Sequence, residues 1–391
     1  MNETRPAGHT SLFTREFWTL MAAASVFFVA IGAVNALLPR FVVEDLGQSE
    51  AVAGAVMGAM AITALATRFR FGRFGDRNGA RPLFVRGALI ASAALASLWW
   101  FPDVAGAVGA RLGLGAGVAA AVTATTMLAI QIAPPDRRGE AASWALIAFH
   151  IGAGVGPLGA DLLLRDFSFV DIWLFVSLAF LAAAALGTTL PRRAGSAAAE
   201  DGPLLHPRAI GPGIVTFFGI FAFNGFMMFV PLYGQTVGLE QVGPVFTVSS
   251  VTIIAIRVLG ARIPDRIGPV PAGSAALAVT VLATILVATW ETPAGVFVGA
   301  ALLAAGLSLQ SPSFIPLAVD GVPDSQRGAA MATYTAFFDV ANAIIGPAFG
   351  LIVSGFGYQP AFLFTGAMAA VAVAVLRVVG RRRQPVEHSS H

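Results

Sequence analysis

His150 and Asp339 are the side chains best placed in this sequence to move a proton. Each stands deep in a long apolar stretch, and they are 189 residues apart. An imidazole titrates within the physiological range without help. A carboxylate in apolar surroundings can also take up and release a proton there. Asp339 is the first candidate for holding a proton or cation, and His150 the second. A structural reading stands beside each: a hydrogen-bonded core histidine, and a carboxylate serving a polar neighbour. Arg111 is the third candidate. An arginine inside an apolar run normally faces a cavity or a partner, and a carboxylate such as Asp161 is a candidate partner. No P-loop, metal-ligand cluster or nucleophile elbow is present, so an enzyme and an ATP-driven pump within this chain are excluded. There is no cysteine, hence no disulfide and no thiolate metal site. No cofactor and no metal are expected.

The elements that must position these groups follow from composition. Of 391 residues, 57% are hydrophobic and 12% charged, whereas soluble domains carry about 25% charged residues. Mean hydropathy is +0.78. Charge-free runs cover 17–39, 51–67, 87–102, 112–135, 172–191, 209–239, 241–256, 267–290, 292–319 and 340–376. About 20 apolar residues cross a bilayer, so most runs hold one helix. The last holds parts of two, because Gly355-Phe356-Gly357-Tyr358-Gln359-Pro360 breaks it. The sequence therefore predicts an all-α membrane protein with twelve spans. They lie near 17–38, 50–69, 82–101, 104–131, 139–164, 170–190, 210–234, 242–262, 270–290, 294–319, 328–353 and 359–379. The first apolar run is too long for a signal peptide and a second span follows it, so no cleavable signal is expected.

Charge sets the topology. All 24 basic side chains are arginine. All but Arg40, Arg111 and Arg165 fall in the terminal segments or in connections that follow even-numbered spans. By the positive-inside rule both termini are cytoplasmic, in a plasma-membrane protein. The pI near 10.1 reflects this asymmetry; no nucleic-acid partner is implied.

The densest patch repeats. TRFRFGRFGDRNGARP at 67–82 aligns with IRVLGARIPDRIGPVP at 256–271 at a constant offset of 189. Arg68 matches Arg257, Arg73 matches Arg262, Asp76 matches Asp265, Arg77 matches Arg266, and Gly79 matches Gly268. The same offset carries Arg138-Gly139 onto Arg327-Gly328 and His150 onto Asp339, and one residue later Gly156-Pro157 meets Gly346-Pro347. Two homologous six-span halves explain this, a known transporter plan. The expected units are a tail at 1–16, a bundle at 17–190, a cytoplasmic linker at 191–209, a second bundle at 210–379 and a tail at 380–391.

Twelve spans, the duplication and this patch together resemble the major facilitator superfamily over nearly the whole chain. Its loop between the second and third spans reads roughly G-x-x-x-D-R-x-G-R-R. Gly72, Asp76, Arg77, Gly79 and Arg81 match it, while Ala80 stands in place of a basic residue. The resemblance implies a conformational latch at Gly72, Asp76, Arg77, Gly79 and Arg81, echoed by Asp265 and Arg266. The alternative is that these arginines only anchor topology; the glycines at this connection allow a tight turn. Gly152, Gly156, Pro157 and Gly159 in the fifth span resemble the exporter, or drug/proton antiporter, pattern; close packing alone is the other reading. Arg111, followed by Gly113, Gly115 and Gly117, resembles the family's fourth-span motif linked to proton coupling. Many drug/proton antiporters of the family bear an acidic residue in the first span, where this chain offers Asn35.

Candidate cavity residues are Asn35, Trp144, Asn224, Phe226, Tyr233, Gln310, Tyr334 and Asn342, with a seventh span rich in Phe and Met that suits promiscuous surfaces. The expectation is a monomeric secondary transporter working by alternating access. It would export small lipophilic or weakly cationic molecules, as multidrug efflux does, in exchange for protons. A metabolite uptake symporter or facilitator is the alternative, and a non-transporting receptor or assembly partner a second.

Overall fold

The computed structural model describes residues 12–134, 137–192, 206–260, 263–323 and 326–381, without the side chains of Arg68, Phe69, Gly72 and Asp76. Most of the expected linker and of both tails therefore lie outside the described residues. The chain folds as α1 (Arg15–Arg40), α2 (Glu50–Asn78), α3 (Ala80–Ala96), α4 (Val104–Ile132), α5 (Arg138–Leu163) and α6 (Phe169–Thr188). The second half is α7 (Pro207–Gly219), α8 (Phe221–Thr236), α9 (Gly243–Leu259), α10 (Ile263–Ile267), α11 (Pro269–Thr289), α12 (Pro293–Val319), α13 (Arg327–Phe356) and α14 (Tyr358–Arg381). Among the described residues there is no strand. Eleven segments are long and apolar enough to cross a membrane, α7 and α8 forming one of them. The 17-residue α9 reaches about 25 Å and makes the twelfth. This is a multi-pass membrane protein.

Helix starts explain themselves locally. Backbone N–H groups at a helix start need partners that lipid cannot supply. Ser49 accepts from Val52, Asp103 from Gly106 and Thr292 from Gly295, and Ser168 with Asp171 forms a capping box. All four caps lie at the face away from the chain termini, here called the far face. The opposite one is the terminal face.

The structure corrects the expected loop between the second and third spans. The helix does not end near residue 69; α2 continues to Asn78, with Gly72 inside it. The turn rests on Gly79 alone, at φ 90°. Its repeat partner Gly268 also has φ 90°, a region that side chains with a Cβ rarely enter. The duplication is thus visible in backbone torsions as well as letters. The seventh span is interrupted at Ile220, between α7 and α8.

Each half packs around its own core. Leu12 to Leu190 build one cluster, and the larger second-half cluster runs mainly from Ile220 to Phe362. Within the first half, α1 lies close against α5. An added Cβ at Gly152 would strike Phe28, one at Gly156 the Val29 carbonyl, and one at Gly32 would lie 2.5 Å from the Gly152 carbonyl. Three of the fifth-span motif residues, Gly152, Gly156 and Pro157, thus face α1 in the same half, while Gly159 has nothing within 4 Å.

Candidate functional site

The halves meet along two seams. At the first, α2 runs antiparallel to α13. An added Cβ at Gly54 would strike the Gly346 carbonyl, one at Gly350 the Glu50 carbonyl, and one at Gly58 would lie 2.8 Å from Ala343 O and Pro347 Cδ. The Ala51 N–H donates to Ser354 Oγ at 2.9 Å, and the Ser354 hydroxyl to Glu50 at 3.4 Å. At the second seam α5 runs antiparallel to α9. Thr247 Oγ1 donates to the Gly154 carbonyl at 2.9 Å. An added Cβ at Gly154 would lie 2.9 Å from Ser250 Cβ. The seams are equivalent places in the repeat: Gly54 and Gly243, Gly58 and Thr247, and Asp161 and Gly350 are each 189 residues apart.

A polar lock crosses the far face. Unlike α2, α4, α6 and α12, α9 has no side-chain cap of its own at Val242. Asp161, from the other half, supplies one: its Oδ2 accepts the Gly243 N–H at 2.6 Å. Arg40 Nη1 lies 4.0 Å from Asp161 Oδ1, and its Nε donates to Glu44 at 2.7 Å. Glu44 in turn accepts from Gln235 of the second half at 2.6 Å. These five hydrogen bonds join the halves, and all five lie in the far half of the molecule. Gly139 and Gly328, at the terminal-face starts of α5 and α13, have nothing within 4 Å of an added Cβ. This state is closed at the far face.

Asp161→Ala removes a cap and a charge from that lock. Caps contribute about 0.5–2 kcal/mol, so the population open at the far face is expected to rise about 2- to 30-fold. Spin labels at the far ends of α2 and α13, read by electron paramagnetic distance measurement, check this. An unchanged distance distribution assigns closure to the glycine seams alone.

The structure places the expected site residues unevenly. Arg111 is buried and donates to Asn35 Oδ1 at 3.0 Å, so its partner is an amide on α1 and not Asp161. Asn224 Nδ2 donates to Asn342 Oδ1 at 2.7 Å, joining α8 to α13. Asp339 is buried on α13, and His150 on α5 is 9% exposed, edge-on to Phe149. The other cavity candidates sit elsewhere. Phe226 is enclosed in the second-half core against Phe362. Gln310 is buried and donates to Thr280 at 3.3 Å. Tyr334 accepts from Thr216 at 2.9 Å. Trp144 packs edge-on to Phe13, Phe17 and Trp18. Tyr233 donates to the Val287 carbonyl at 3.0 Å and borders a far-face cavity of about 380 Å³ with Glu291 and Tyr358.

At the terminal face, Arg70, Arg73, Phe74 and Arg77 line a second cavity of about 350 Å³. The Arg86 guanidinium lies 4.6 Å over the Phe74 ring. Arg81 opens α3, and Asp265 and Arg266 lie on α10. The Asp76 side chain lies outside the described residues, and the latch expected there lies outside them with it.

Sequence reasoning missed the residues that close the far face. Gly54 and Gly58 form a small-xxx-small pair that was legible. Asp161 gave no such signal, because its partner is a backbone N–H 82 residues away.

A model of the Major Facilitator Superfamily matches residues 20–295 and 240–391. An uncharacterized MFS-type transporter of Salmonella typhimurium is 28% identical, over 93% of this chain and 96% of its own length. One from Burkholderia mallei is 27% identical, over 95% and 93%. Among solved structures, a mutant of the nucleoside transporter NupG superposes with TM-score 0.80 at 13% identity, covering 93% of this chain and all (100%) of that one. A bacterial homolog of the human lysosomal transporter Spinster, inward-facing and unoccupied, gives TM-score 0.76 at 13% identity, covering 94% and 96%.

Proposed function

Because this chain belongs to the major facilitator superfamily, whose members are transporters and not enzymes, we propose that it exports small lipophilic or weakly cationic molecules by alternating access in exchange for protons. The observation that carries this reading is one-sided closure. Glycine seams and a cross-half cap shut the far face, while Gly139 and Gly328, at the terminal-face starts of α5 and α13, have nothing within 4 Å of an added Cβ. Arginine placement favours both termini being cytoplasmic; the far face is then external and this is the inward-open state of an inner-membrane protein.

Opening the far face then means parting the same two seams. Asp339 on α13, and Asp161 and His150 on α5, lie on the helices that must separate, so protonation at them biases which face is shut. Asp339 is the proton carrier in this scheme, with His150 and Arg111 as supporting groups. The Asn224–Asn342 pair is the polar contact offered to substrate. Gly72, Asp76, Arg77, Gly79 and Arg81, with Asp265 and Arg266, act as the latch that closes the cytoplasmic face in the opposite state.

The test uses proteoliposomes loaded with the pH dye pyranine under an imposed pH gradient. Compound-dependent proton flux is expected from some members of a broad lipophilic panel. Lack of flux with every member would sink the antiport reading. Uptake of a metabolite is the second reading, favoured by fold likeness to nucleoside and peptide transporters; growth on candidate nutrients with and without the gene separates the two.

A further inference from the structure

The two seams differ in charge at one equivalent position. The α2–α13 seam has Arg68 on α2 and Asp339 on α13; the α9–α5 seam has Arg257 and His150 at the corresponding places, each offset by 189. By sequence offset, one pair is an arginine and a carboxylate. The other is an arginine and an imidazole.

Helix register brings Arg257 and His150 together. Gly154 lies against Thr247 and Ser250, so His150, one turn nearer the terminal face, stands opposite residue 254. Arg257 continues the same stripe of α9 as Gly243, Thr247 and Ser250. Side chains lean toward their own helix N-terminus. In antiparallel helices Arg257 and His150 therefore lean toward each other across the seam that Gly154 and Thr247 form. Arg257 Nε is enclosed without a hydrogen-bond partner among the described residues, a costly condition for a charged donor.

The surrounding helices offer no acid at this depth. Residues 17–39 of α1, 112–132 of α4, 243–256 of α9 and 293–319 of α12 contain neither Asp nor Glu. On α5, Glu140 and Asp161 lie ten and eleven residues from His150, about 15 Å along the helix. Asp161 is engaged by Gly243 and Arg40. Apolar surface adjoins the pair, with Phe149 edge-on to His150 and to Phe28.

We propose that the substrate supplies the carboxylate this seam lacks: the α5–α9 seam binds an amphipathic organic carboxylate, its head held between Arg257 and His150. The guanidinium fork matches a carboxylate in two parallel hydrogen bonds, and the imidazole donates a third. This rests on the transport reading and assigns an anionic head to its lipophilic substrate, in place of the cationic one that Asp339 alone suggested.

Equilibrium dialysis of radiolabelled 2-naphthoate against the full chain in phosphatidylcholine nanodiscs tests it. Saturable binding is expected, displaced by other aryl carboxylates but not by 2-naphthamide or 2-naphthylmethylamine. Arg257→Gln is expected to weaken it about 10- to 100-fold, with Arg257→Lys in between and unchanged melting for both. Absence of saturable binding, equal displacement by the amine, or indifference to Arg257→Gln overturns the proposal. A parallel arm adds phosphatidylglycerol; loss of naphthoate binding there would assign the pair to a lipid headgroup and overturn it too. Amine binding without naphthoate binding would sink this inference and leave the transport reading intact, which the pyranine assay judges separately.

Discussion

Gly54→Leu is expected to leave the protein folded but unable to shut its far face, abolishing transport. The added side chain would enter the space held by the Gly346 carbonyl, and Gly350 packs against Glu50 just beyond. Both obstacles are backbone, so no rotamer change relieves them. Overpacking of this kind costs about 1–3 kcal/mol, and here the cost falls only on the state in which α2 touches α13. The equilibrium between the two faces therefore shifts about 5- to 150-fold toward far-face opening. A transporter held in one state completes no cycle, so flux falls with it. Spin-label distances between the far ends of α2 and α13 should lengthen, while melting in detergent stays near wild type. A control at Gly159, which has nothing within 4 Å, should tolerate leucine with normal flux. Short far-face distances in Gly54→Leu would remove this seam from the gating mechanism.

The halves were legible because duplication left a fixed offset in charged and glycine positions. A charge-free run long enough to span is also a strong signal, since lipid forbids unsatisfied backbone. Extent was less legible. Nothing local stops α2 at residue 69, because Arg70, Arg73 and Arg77 are good helix formers; the first residue that must turn is Gly79, at φ 90°. Side-chain identity alone does not say where a cavity candidate points. Phe226, Gln310 and Tyr334 are polar or aromatic residues in three apolar spans, but which face of a span meets its neighbours depends on packing between helices far apart in sequence. In an apolar helix both the core and lipid faces read alike, so periodicity carries little information. Arg257 shows the same limit: counted as a topology anchor, it lies within α9 with its Nε enclosed.

Asp339→Asn is expected to uncouple transport from the proton gradient while leaving exchange intact. The amide keeps the size and hydrogen-bonding capacity of the carboxyl but cannot load or release a proton. Asp339 is buried on α13, the helix that α2 must leave and rejoin in each cycle, so its charge state is felt where the halves separate. One pH unit across the membrane is worth about 1.4 kcal/mol per proton, so a one-for-one exchanger concentrates its substrate about tenfold. For a compound that gives flux in the pyranine assay, wild-type protein should reach that ratio and Asp339→Asn should stop near unity. Exchange of labelled for unlabelled compound across the same liposomes, with no gradient, should persist, because it needs only the alternating faces. Asp339→Glu, which restores a carboxyl one methylene further out, should recover part of the gradient. The pair of measurements separates a coupling residue from a structural one: loss of both exchange and accumulation would point to damaged packing between α2 and α13. Full accumulation by Asp339→Asn would transfer the proton to His150 or Arg111, the two other ionisable groups proposed to support coupling.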